Sequence, residues 1–127
     1  MTGLPKPTDA ELEILTVLWD NGPSTVRRVH ELLDSDPPRA YTTVLKILQI
    51  MSEKRLVRRN EDQRAHIYEA ALTKDEARGT LLGHLVDRAF DKSAGKLIMQ
   101  ALSTRTASAE ELAEIRRMLD RLEGEDK

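Results

Sequence analysis

Three times in this chain a hydroxyl residue is followed three positions later by glutamate, just ahead of a run of leucines: Thr8 and Glu11, Thr73 and Glu76, Ser108 and Glu111. In that arrangement each side chain satisfies the other residue's otherwise free backbone N–H, so each pair marks the start of a helix. A chain of 127 residues with such starts near both ends and past its middle is committed to a mainly helical fold. Only 3% of the residues are aromatic, namely Trp19, Tyr41, Tyr68 and Phe90. The core must therefore be aliphatic, which favours helices over a β-sandwich.

The first helix is expected over Asp9–Asp20, where Leu12, Leu15, Leu18 and Trp19 recur at helical spacing and Asn21-Gly22-Pro23 supplies the stop. Ser24 is the expected cap of a short second helix with Val26, Val29, Leu32 and Leu33 on one face, ended by Asp34-Ser35-Asp36-Pro37-Pro38. From Tyr41 to Leu56 the chain reads as a longer helix with an apolar stripe of Val44, Ile47, Leu48 and Met51 opposite Thr42, Lys46, Gln49 and Glu53. The period then changes. Leu56-Val57-Arg58-Arg59 and Ala65-His66-Ile67-Tyr68-Glu69 read as two strands joined by a five-residue tip, Asn60 to Arg64. Three helices followed by a hairpin is the order of a winged helix-turn-helix.

After Thr73 the pattern is helical again. Leu81, Leu82, Leu85, Val86, Ala89 and Phe90 follow the second start, Leu97, Ile98, Ala101 and Leu102 follow Ser93, and Leu112, Ile115, Met118, Leu119 and Leu122 follow the third start. Three short helices bury too little to be stable alone, so a second copy of the chain is the expected cover for Leu81, Leu85, Phe90, Leu97, Ile98, Leu112, Ile115 and Leu119. The expected fold class is thus mainly α with a small β-hairpin. Residues 1–72 are expected to form a winged-helix domain, of the kind that serves as a DNA-binding domain, and residues 73–127 a helical dimerisation domain.

The net charge of −2 hides an uneven distribution. Between Pro37 and Asn60, six cations (Arg39, Lys46, Lys54, Arg55, Arg58 and Arg59) face one acid, Glu53, leaving +5 there and −7 on the rest. A local basic patch on an acidic chain is the footprint expected of a nucleic-acid binder. The exposed row Thr42, Thr43, Lys46 and Gln49 carries the hydroxyls, cation and amide that read base edges in a major groove, with Arg39, Arg58 and Arg59 beside it. Arg64, at the hairpin tip, is placed to touch backbone or minor groove.

Other chemistries lack their residues. There is no cysteine, so disulfides, thiolate nucleophiles and cysteine-ligated metals are excluded. His30, His66 and His84 fall on three different elements with no paired spacing, so no metal or other cofactor is expected. No phosphate-binding glycine loop and no G-x-S-x-G occurs. No enzyme is expected. No signal-like or membrane-spanning run occurs either, so the expected setting is the cytoplasm, without insertion into a membrane.

The chain resembles the BlaI/MecI/CopY group of bacterial repressors, typified by the penicillinase repressors. The resemblance is carried by Thr8 to Leu15 and on to Leu18-Trp19, by Ala40-Tyr41-Thr42-Thr43-Val44, by Lys54-Arg55-Leu56-Val57 and by Arg64-Ala65-His66-Ile67-Tyr68, and it extends from about Thr8 to Leu122. It implies a homodimeric repressor whose third helix docks on a palindromic double-stranded operator, with Thr42, Thr43 and Lys46 among the contacts and Gln49 on the next turn. Leu45 and Ile50 stand where relatives often carry basic or polar residues. In the penicillinase repressors a membrane sensor-protease cuts an Asn-Phe bond, and the matching bond here is Gln100-Ala101. The copper-responsive branch uses cysteines that this chain lacks. The function expected from these readings is transcriptional repression by operator binding; the alternative is a helical protein–protein adaptor without sequence-specific DNA binding.

Overall fold

The computed structural model describes residues 5–61 and 65–125. Its elements run α1 (Asp9–Asn21), β1 (Ser24–Thr25), α2 (Val26–Leu32), α3 (Tyr41–Glu53), β2 (Val57–Asn60), β3 (Ile67–Ala70), α4 (Lys74–Ala89), α5 (Ala94–Thr104) and α6 (Ala109–Glu125). The chain divides into two compact units, 1–84 and 85–127, with the division inside α4.

All three capping boxes form. Thr8 and Glu11, Thr73 and Glu76, and Ser108 and Glu111 exchange both bonds, at 2.8 to 3.2 Å. Gly22 ends α1 with φ 78°, a left-handed conformation that costs glycine nothing, and its N–H donates to the Leu18 carbonyl. The boundaries of α2 and α3 are among those that differ from the sequence reading. The cap of α2 is Thr25, whose hydroxyl accepts from the Arg28 N–H, while Ser24 is drawn into β1 opposite Tyr68. The third helix stops at Glu53 rather than Leu56, because Arg55 turns left-handed at φ 67°. The Leu56 N–H then bonds the Met51 carbonyl at 2.9 Å and the Arg55 N–H bonds the Ser52 carbonyl at 3.1 Å, a Schellman closure that drops Leu56 into the core.

The hairpin is part of a three-stranded antiparallel sheet in the order β1-β3-β2. Ser24 pairs with Tyr68 and Thr25 with Ile67 on one side of β3; on the other, Val57 pairs with Ala70, Arg58 with Glu69 and Arg59 with Tyr68. His66, expected on a strand, lies just before β3 and is exposed.

The core of the first unit gathers Ile14, Leu15 and Leu18 of α1, Val29 of α2, Val44, Leu48 and Met51 of α3, and Leu56, Val57 and Tyr68 of the wing. Each large aliphatic side chain so buried contributes about 1.5–3 kcal/mol. The Trp19 indole N–H donates to the Leu72 carbonyl at 3.0 Å, tying α1 to the segment behind β3. Ala77, in the first turn of α4, is buried in the same core. With the sheet behind α3, this unit is a winged helix-turn-helix.

The second unit is different. No hydrophobic side chain of residues 85–124 is buried, and no two of its helices pack closely. Leu85, Ile98 and Leu119 are 48, 46 and 50% exposed; Phe90, Leu97, Leu112 and Ile115 are half-buried. Leu81, on α4 within the first unit, is half-buried as well. Among the described residues, no helix is long and apolar enough to cross a membrane.

Candidate nucleic-acid interface

Burial of Val44, Leu48 and Met51 fixes how α3 is rotated. At 3.6 residues per turn the opposite side then carries Thr42, Lys46 and Gln49, with Thr43 on its flank, and all four are exposed. The Ala40 cap offers α3 no side-chain hydrogen bond, unlike the caps of α1, α2 and α5. The start of α3 is held instead from behind. His30 Nε2 lies 2.9 Å from the Arg39 carbonyl, so this nitrogen carries the proton that is donated, and the His30 ring meets Tyr41 edge-on at 5.9 Å.

The cations of the basic segment are less free than a count suggests, since four of the six have acid partners from outside it. Arg39 stands 3.5 Å from Glu13, Lys54 bonds Glu11, Arg58 stands 3.2 Å from Glu69 and Arg59 stands 3.0 Å from Glu61. Lys46 and Arg55 have no ion pair among the described residues.

These pairs are not equivalent. Lys54 grips a carboxylate that is only 4% exposed, so it belongs to the scaffold. The pairs of Arg58 and Arg59 lie at the surface, where an ion pair is worth about 0.2–1 kcal/mol, little enough for a phosphate to displace the acid. Arg59 also faces Tyr68 across the ladder. The phenol and then Glu61 favour its charged form and raise the guanidinium pKa, although the buried phenol oxygen finds no partner at full hydrogen-bond geometry. Arg39 is half-buried, with its Nε unpartnered. Arg64 lies outside the described residues.

Sequence reasoning passed over Arg27 and Arg28. Val26 and Val29 of α2 are buried, which turns both arginines outward, and neither has an ion pair among the described residues. The signal was present in the spacing of Val26 and Val29, but both cations fell outside the segment whose charge was summed. Gln100 and Ala101, the bond implied by the resemblance, are exposed within α5, where the Gln100 carbonyl accepts from the Ser103 and Thr104 hydroxyls.

Similarity to known proteins extends over nearly the full length of the chain. Two curated relatives, both called transcriptional regulator BlaI and found in the CDC 1551 / Oshkosh and ATCC 25618 / H37Rv strains of Mycobacterium tuberculosis, are each 34% identical over 124 residues, 97% of this chain and 89% of theirs. Among solved structures, a MarR family protein from Bacillus stearothermophilus aligns with a TM-score of 0.48 and 19% identity, covering 93% of this chain and 74% of that one. The family model described as penicillinase repressor matches residues 7–121. A match that runs from the residue before the first capping box to the last turns of α6 leaves little of the chain outside it: the chain belongs to the penicillinase repressor family.

Proposed function

We propose that this chain is a transcriptional repressor that acts in the cytoplasm as a homodimer on a palindromic operator. The observation that carries the DNA reading is the outward face of α3, where Thr42, Thr43, Lys46 and Gln49 are exposed and Lys46 has no acid partner among the described residues. A helix of this kind enters the major groove, Gln49 pairing an adenine edge, the threonine methyls meeting thymine methyls, and Lys46 reaching guanine or phosphate. Arg58 and Arg59 of β2 reach the flanking backbone once they release Glu69 and Glu61.

The homodimer rests on the second unit. Helices α5 and α6 and the end of α4 have apolar faces but bury none of them within one chain. Leu85, Phe90, Leu97, Ile98, Leu112, Ile115 and Leu119 find their interior against the same faces of a second copy, and two-fold pairing is the commonest way a chain completes itself. The two recognition helices then meet half-sites about one helical turn apart or a multiple of it. Release by a membrane sensor-protease at Gln100-Ala101 would require local unwinding of α5, because proteases bind extended backbone.

A mobility-shift titration with a duplex from the gene's own upstream region tests this reading. The expected result is a discrete complex of two chains per duplex, competed by the same sequence and not by unrelated DNA. Weak retardation, equal on all sequences, would point to the adaptor.

A further inference from the structure

Arg27, which has no ion pair among the described residues, does not stand alone. It lines a cleft of about 480 Å³, open to solvent, together with Thr25 and Val26 of β1 and α2, Tyr41 and Leu45 of α3, and Ala65, His66 and Tyr68 of the wing. Among the described residues, no carboxylate lines the cleft. In the cleft beside β2, by contrast, Arg58 and Arg59 are held by Glu69 and Glu61, and Arg55 alone of its arginines has no ion pair among the described residues.

We infer that this cleft seats a sugar–phosphate unit of the DNA backbone, with Arg27 and His66 as the phosphate ligands. The inference rests on the DNA reading above and extends the footprint to α2 and to the base of the wing. The chemistry of the lining is that of a nucleotide backbone. Arg27 brings a fixed positive charge and a planar fork of donors suited to phosphate oxygens. His66 has at least one ring N–H to donate in either protonation state. The Thr25 hydroxyl already accepts from the Arg28 N–H, which leaves its own proton for an anion. Val26, Leu45 and Ala65 form an apolar wall for the deoxyribose.

The occupant follows from continuity. Tyr41 and Leu45 lie on the same helix as Thr42 and Lys46, so a strand whose bases meet Lys46 must run its backbone past one end of α3. The cleft receives it there between α2 and the wing. The His30 ring, edge-on to Tyr41 and bonded to the Arg39 carbonyl, keeps that end of the helix in place. Arg27 and His66 are therefore positioning residues: they set the register of α3 on the duplex and carry no base preference.

The experiment compares Arg27→Ala, Arg27→Lys and His66→Ala with Lys46→Ala in full-length protein, using fluorescence anisotropy on a labelled upstream duplex and on an unrelated duplex across a salt titration. Losing one phosphate contact lowers the slope of log affinity against log salt by about 1 and weakens both duplexes several-fold alike. Arg27→Ala is expected to behave so, with Arg27→Lys recovering the slope, and His66→Ala is expected to weaken both duplexes alike. Both side chains are exposed, and an unchanged thermal midpoint separates a contact effect from misfolding. The inference is overturned if Arg27→Ala and His66→Ala keep wild-type affinity and slope while Lys46→Ala loses binding, an outcome that leaves the DNA reading intact. It is also overturned if Arg27→Ala alters base preference, since a phosphate ligand cannot. Wild-type protein that binds neither duplex overturns the DNA reading itself.

Discussion

Lys54 donates to both carboxylate oxygens of Glu11, at 3.0 and 2.8 Å, across 43 positions of sequence. Glu11 is at the same time the capping-box residue of α1, accepting from the Thr8 N–H at 2.9 Å. One carboxylate thus fixes the start of α1 and pins it to the end of α3, the helix proposed to meet DNA. Burial alone would push its pKa up and is the largest single influence. The Lys54 bonds and charge, together with the Thr8 donor, outweigh it and hold the carboxyl below its ordinary value of 4.5.

Lys54→Met leaves that carboxylate buried without its cation and is expected to lower stability by about 1–3 kcal/mol at neutral pH, read from urea melts. Because the folded-state pKa of Glu11 is depressed, its contribution is complete above about pH 4.5 and is lost as pH falls through the lower folded value. The difference between Lys54→Met and wild type should accordingly shrink on acidification below pH 4.5. A difference that stays constant from pH 7 to pH 3 would show that the pair does not couple to folding.

Lys46→Ala removes an unpaired cation from the exposed side of α3. Operator affinity is expected to fall about tenfold or more, equivalent to about 1.4 kcal/mol. Because Lys46 is exposed, the thermal midpoint should change little. Anisotropy and a melting scan on the same sample check both halves.

Glu69→Gln frees Arg58 from a pair in which both partners are largely exposed. An arginine released from an acid is more available to phosphate, so DNA binding is expected to tighten by roughly two- to fivefold, the equivalent of a surface pair worth about 0.2–1 kcal/mol. Its salt dependence should steepen. Weaker binding would mean that Glu69 orients Arg58 rather than competing for it.

Arg55 holds φ 67° at the end of α3, where glycine is the residue without penalty. Arg55→Gly is expected to stabilise the fold by about 0.5–1 kcal/mol, since a left-handed non-glycine residue carries about 1–2 kcal/mol of strain and glycine loses more entropy on folding. Chemical denaturation measures the gain.

Leu119→Glu places a charge on an apolar face that one chain leaves half exposed. Sedimentation at micromolar concentration should show wild-type dimers and mostly monomeric variant, and operator affinity should drop by more than tenfold because two half-sites are no longer linked. A wild-type monomer would remove the need for a partner.

What was legible in the sequence is what depends on neighbours within a turn or two. The capping boxes at Thr8, Thr73 and Ser108 formed because both members lie three residues apart, and the rotation of α3 followed from Val44, Leu48 and Met51. These are short-range effects, set before any tertiary contact exists. The outward display of Thr42, Lys46 and Gln49 came with them.

Tertiary structure decided what depends on residues far apart in the chain. Ser24 caps nothing, because pairing with Tyr68 drew it into a strand two residues long, which no local pattern announces. The +5 segment lost much of its unopposed charge to Glu11, Glu13, Glu61 and Glu69, acids supplied by α1 and the wing. Arg27, outside that segment, gained importance because folding set it beside Tyr41 and His66 in one cleft, with no ion pair among the described residues. The sequence by itself determined the helices and the face that α3 presents, since backbone hydrogen bonding and apolar spacing act locally. Which cations remain free for a phosphate was decided by the fold, because a Coulomb interaction depends on distance in space and not on separation along the chain.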